Sequence, residues 1–150
     1  DFAASALFSG IELYQPSPFD KIQAEEYKII REIAAEDSCV IVGRGADYIL
    51  RDQSHVSIFL FAPLEDRVKR KLALLSGQDA KNMTPAQMEK IVKQMDKQRR
   101  RYYEYYTDTK WGDRDSYDLL INTSRAGIDG AVKIITTYIE SSRGESMMPD

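Results

Sequence analysis

Two short apolar runs, each ended by a chain breaker, most constrain what this chain can fold into. Cys39-Val40-Ile41-Val42 stops at Gly43, and Val56-Ser57-Ile58-Phe59-Leu60-Phe61 stops just before Pro63. The first shows no alternation of apolar and polar residues, and the second repeats its pattern, so both read as strands covered on both faces. That is the pattern of central strands in a parallel sheet. A weaker third run is Tyr117-Asp118-Leu119-Leu120-Ile121. Helical patterns separate the runs. Ser17 and Pro18 open one helix, which carries Phe19, Ile22, Ile29, Ile30 and Ile33 near helical spacing and ends at Asp37-Ser38. Pro63 opens a second helix with the stripe Leu64, Val68, Leu72 and Leu75. Thr84-Pro85-Ala86-Gln87 opens a third, with capping-box spacing and the stripe Met88, Ile91, Val92 and Met95. Ile128, Ala131, Val132, Ile135, Tyr138 and Ile139 mark a C-terminal helix. Strands alternating with helices predict an α/β fold, a parallel β-sheet flanked by helices.

A chain of 150 residues can bury one core, so a single domain is expected over residues 1–140, with 141–150 a flexible, solvated tail. Apolar residues at 43% and charged residues at 30% argue against disorder. A net charge of −3 gives no reason for broad adhesion to nucleic acid or membrane, so anion binding must come from local clusters. Cys39 is the only cysteine, which excludes an intrachain disulfide, and its place in an apolar run predicts a buried, inert thiol. His55, the only histidine, is expected in a surface loop, and no metal-ligand cluster is foreseen. No stretch approaches the roughly 18 apolar residues that span a bilayer, and no signal peptide is evident, so the expected location is cytoplasmic.

Ligands of open α/β sheets bind beyond the carboxyl ends of the strands, which directs attention to residues 43–47, 62–66 and 122–127. Gly43-Arg44-Gly45-Ala46-Asp47 places an arginine between two glycines at a strand end. Arg44 and Asp47 suit a phosphate and a base or sugar group, and the alternative is a turn with an exposed salt bridge. After Pro63, Arg67 and Arg70 lie about one helical turn apart at a helix whose N-terminus favours anions, or else they form an ordinary solvated face. Asn122-Thr123-Ser124-Arg125-Ala126-Gly127 could read the edge of a base or simply cap the last helix. Trp111 is read as a packing anchor rather than a stacking platform.

The densest cationic feature is Met95-Asp96-Lys97-Gln98-Arg99-Arg100-Arg101-Tyr102-Tyr103-Glu104-Tyr105-Tyr106. Arg99 continues the helix face that Val92 and Met95 make apolar, and Lys97 and Arg101 form a second pair one turn apart. Like charges at that spacing repel until a polyanion arrives. Guanidinium forks match phosphate oxygens two at a time, so a segment closing over phosphates is expected. The alternatives are a charged helix end, or single-strand RNA binding through arginines beside tyrosines.

Together these segments resemble the cytidylate kinase-like family of P-loop nucleoside monophosphate kinases. The likeness rests on Cys39-Val40-Ile41-Val42-Gly43-Arg44-Gly45-Ala46-Asp47, Ala62-Pro63-Leu64-Glu65-Asp66-Arg67, Asp96-Lys97-Gln98-Arg99-Arg100-Arg101-Tyr102-Tyr103, Lys110-Trp111-Gly112-Asp113 and Asn122-Thr123-Ser124-Arg125. It implies a P-loop NTPase fold with a helical lid, and transfer of the ATP γ-phosphate to CMP or dCMP with Mg2+. By the same resemblance Lys97, Arg99 and Arg101 belong to the lid and act on the transferring phosphates. Arg44 and Asp47 contact the acceptor, while Arg67, Asn122, Thr123 and Ser124 lie on the ATP side. No Gly-Lys dipeptide occurs, so a standard Walker A loop is absent from these 150 residues. The chain is therefore expected to be an incomplete, inactive part of an active kinase, the alternative being a degenerate member of the family that has lost the loop. The other readings are a non-catalytic nucleotide- or RNA-binding module and a kinase of the same fold for another small molecule. The sequence carries no sign of oligomeric state.

Overall fold

The computed structural model describes residues 18–77 and 82–145. These divide after Ile49 into two compact units.

In the first unit, α1 (Pro18–Glu36) is followed by the single-turn α2 (Ala46–Ile49). The bounds of α1 match the expectation, while its anticipated cap, Ser17, lies outside the described residues. Ile30, Ala46 and Ile49 are buried, and Arg31 Nη1 donates to the Ile49 carbonyl at 3.0 Å, tying α1 to the end of α2. Ile22, Ile29 and Ile33 stay exposed. The run at residues 39–42 departs from its prediction. It forms no strand, Val40 is 93% and Val42 88% exposed, and the Cys39 thiol is exposed rather than buried. A strand of this composition is held by neighbours on both faces more than by its own propensity. None flanks this one among the described residues, so it remains irregular.

The second unit contains a parallel pair of strands, β1 (Ile58–Phe61) and β2 (Leu119–Asn122), in register from Ile58 opposite Leu119 to Phe61 opposite Asn122. Their start is clamped by side chains. Ser57 N and Oγ both donate to Asp118 Oδ2, at 2.6 and 2.9 Å, and Asp118 N donates back to the Ser57 carbonyl. A slip of one residue would break this exchange and turn every strand side chain to the other face. The sheet is parallel as expected, but it has two strands among the described residues.

Helix α3 (Leu64–Ala73) crosses from the sheet to α4 (Pro85–Thr107). The predicted stripes meet here: Val68, Met88 and Val92 are buried together, with Leu64, Leu72, Leu75 and Met83 packed around them. The capping box is present. Thr84 Oγ1 accepts from Gln87 N at 3.3 Å, and Gln87 Oε1 accepts from Thr84 N at 2.9 Å. Helix α4 runs unbroken through the three arginines and ends where Asp108 turns left-handed at φ 53°. The chain then passes through a short 3-10 turn (Arg114–Ser116) to β2. Trp111 meets Phe59 edge-on at 5.3 Å, and Tyr117 lies 5.0 Å from the same ring and 6.5 Å from Tyr103 of α4. Trp111 is thus the packing anchor that was expected. Helix α5 (Thr123–Glu145) follows β2 and leaves helical geometry at Gly127 (φ 70°, ψ 173°). It extends through Glu145, into the segment expected as a solvated tail; residues 146–150 lie outside the described residues.

Candidate functional site: a cationic groove

The spacing of cations on α3 builds the site. Arg67, Arg70 and Lys71 stand three and four residues apart, so they share one face of the helix. That face borders a groove of about 200 Å³ whose far wall is Val92, Met95, Asp96 and Arg99 of α4. The floor is apolar and the rim is charged. Arg67, Arg70, Lys71 and Arg99 supply four positive charges against one negative charge from Asp96. Such a groove suits a multiply charged anion with an apolar body.

Two of the arginines are held. Arg67 Nη1 donates to Asp96 Oδ2 at 2.6 Å, with side-chain exposures of 31% and 21%. The buried Arg67 Nε has no hydrogen-bond partner. Arg70 Nη1 reaches Thr123 Oγ1 at 3.4 Å, and that hydroxyl donates to the Phe61 carbonyl at 3.2 Å. Arg70 is therefore tied to the carboxyl ends of both strands, the edge where α/β sheets take ligands.

Of the predicted site residues, Arg67 and Arg99 come together in this groove. Lys97 and Arg101 lie exposed on α4 and do not line it; they are half a turn from Arg99 around the helix. Thr123 is buried as the link just described, and Asn122 Oδ1 accepts from Ser124 N at 3.0 Å. That bond satisfies a free donor at the start of α5, so the capping alternative describes Asn122. Ser124 is exposed. The first turn of α3 carries carboxylates beside the position read from sequence as favouring anions. Glu65 and Asp66 already complement the helix dipole there, and the cations stand further along.

In the first unit, Gly43, Arg44 and Gly45 all have positive φ, at 77°, 61° and 64°. The glycines adopt this freely; for Arg44 it is strained. The resulting turn projects the arginine to Glu26 of α1 at 3.2 Å. Asp47 follows on α2, half-buried.

Among the described residues no group of three or more His, Cys, Asp or Glu could hold a metal ion, and the groove's carboxylate is engaged by Arg67. The described residues thus offer Mg2+ no protein cage. Among the same residues no helix is long and apolar enough to cross a membrane.

Lys71 and Asp96 were not singled out from sequence as site residues. The signals were present: Lys71 is four residues beyond Arg67, and Asp96 is three before Arg99 on the same face. What sequence could not supply was that the two faces meet.

The fold and groove define an α/β protein with a cation-lined groove between two helices that follow a parallel strand. Residues 2–125 match the cytidylate kinase-like family, and the chain belongs to it. It is 29% identical over 125 residues to a cytidylate kinase of Saccharolobus islandicus, covering 83% of this chain and 63% of that protein. It is 32% identical over 132 residues to a cytidylate kinase of Desulfurococcus amylolyticus, covering 88% and 66%. A crystal structure of an uncharacterized protein from Eubacterium ventriosum shares the fold with a TM-score of 0.73 and 31% identity, over 83% of this chain and 68% of that one. The match to the Saccharolobus relative thus spans less than two thirds of that protein's length.

Proposed function

We propose that the protein carrying this chain is a nucleoside monophosphate kinase that transfers the γ-phosphate of ATP to CMP or dCMP. The observation that carries the reading is the groove: four cations on two helices around an apolar floor, beside the carboxyl ends of parallel strands. An acceptor phosphate oxygen forms a bond to the γ-phosphorus, the bond to the β–γ bridging oxygen breaks, and ADP leaves with that electron pair. Negative charge spread over the transferring group is the main burden of this reaction, so positioned guanidinium groups do much of the catalysis. Arg67 and Arg70 hold the polyphosphate, and Arg99 meets charge on the transferring group. Arg44, projected by its strained turn, is assigned to the acceptor. Mg2+ bound with the nucleotide would lower the charge that repels the incoming acceptor; the described residues would contribute their cations beside it.

The test is an ADP-release assay on the full-length protein with CMP, dCMP, UMP and AMP. The cytidine nucleotides should give the highest kcat/KM. Arg99→Ala should lower kcat by about 10³ with the melting temperature unchanged. A kcat for Arg99→Ala equal to that of the unmodified protein would remove Arg99 from the reaction.

A further inference from the structure

A carboxylate in a groove lined by cations is out of place if the groove takes phosphate, because it repels the ligand. Asp96 nonetheless lines it and pairs at 2.6 Å with Arg67, 29 residues earlier on the facing helix. The pair is more sheltered than the surface pair Lys93–Glu89 on α4, whose side chains are 61% and 46% exposed. Arg67 has no second anchor at its Nε, which is buried without a hydrogen-bond partner. Arg70, by contrast, is steadied by Thr123. Asp96 is therefore what fixes the plane of the Arg67 fork.

We infer that Asp96 is a positioning residue: it holds the Arg67 guanidinium ready for a polyphosphate, and this ordering outweighs the repulsion its own charge adds. The inference rests on the proposed polyphosphate role of the groove. Arginine loses much rotamer freedom when it binds, and an arginine already ordered loses less. The two effects of Asp96 have opposite signs, so removing its charge decides between them. Asp96→Asn keeps the shape, makes the groove more positive, and gives up the charge-assisted bond. Simple electrostatics requires tighter anion binding; positioning requires weaker binding.

The measurement is calorimetric titration of inorganic triphosphate into the full-length protein, with melting temperatures recorded alongside. Asp96→Asn should weaken binding about tenfold, the scale of one hydrogen bond to a charged group. Asp96→Glu, which keeps the charge, should recover most of that loss. Arg67→Gln should weaken binding, and adding Asp96→Asn to it should do nothing more, because the carboxylate acts through that arginine. Equal or tighter binding by Asp96→Asn, additive losses in the double variant, or no triphosphate binding by the unmodified protein would each overturn the inference. Failure of the kinase reading is separately visible: triphosphate binds as described, but no phosphate reaches any nucleoside monophosphate.

Discussion

At the scale of single residues, strain separates binding from stability. Arg44 sits at φ 61°, a conformation costing an ordinary residue about 1–2 kcal/mol. Its ion pair with Glu26 is an exposed one, worth at most about 1 kcal/mol. Arg44→Gly relieves the strain but adds backbone entropy to the unfolded chain, about 0.5–1 kcal/mol, and loses the pair. These terms nearly cancel. The variant should therefore melt close to the unmodified protein while its KM for the acceptor nucleotide rises about tenfold or more. A large fall in melting temperature with an unchanged KM would make Arg44 a structural residue. The glycines around Arg44 were readable in sequence as a turn. The left-handed arginine between them was not, because only the backbone path forces it.

At the scale of elements, legibility followed locality. The capping box of α4 and the stripes of α3 and α4 were readable because each is fixed by residues a few positions apart. Asp96 holding Arg67 was not, since it joins two helices through tertiary packing. Gly112 belongs with the second kind. Its φ is 81°, and a Cβ there would stand 3.0 Å from Phe59 Cζ, on a ring already flanked by Trp111 and Tyr117. Backbone strain and collision act together, so Gly112→Ala should destabilise the second unit by about 2–3 kcal/mol. Urea unfolding followed through Trp111, the only tryptophan, would measure it. Thr84→Ala, losing only the cap of α4, should cost about 1 kcal/mol in the same experiment. If the two variants unfold alike, the ring does not constrain the loop.

At the scale of the whole molecule, the main difference from the sequence reading is uncovered apolar surface. The pattern at residues 39–42 demands burial on two faces, and Val40 and Val42 receive almost none. Leu60 and Phe61 of β1, Leu120 of β2, and Ile128 and Val132 of α5 are also exposed. Sequence pattern records what a residue is suited to, whereas burial depends on which neighbours are present. Exposed apolar side chains in such number favour association when nothing covers them. The 150 residues expressed alone should therefore bind a hydrophobic dye strongly and self-associate in a concentration-dependent way. Val40→Ser with Val42→Ser should reduce both effects without lowering the melting temperature, because these side chains lose little water contact on folding. In any longer protein that carries this chain the same double substitution should lower stability if that run is covered there, by about 2–4 kcal/mol for two branched side chains. Equal melting temperatures of the substituted and unmodified forms of that protein would show that the run stays open to water. Its apolar sequence would then serve something other than the core.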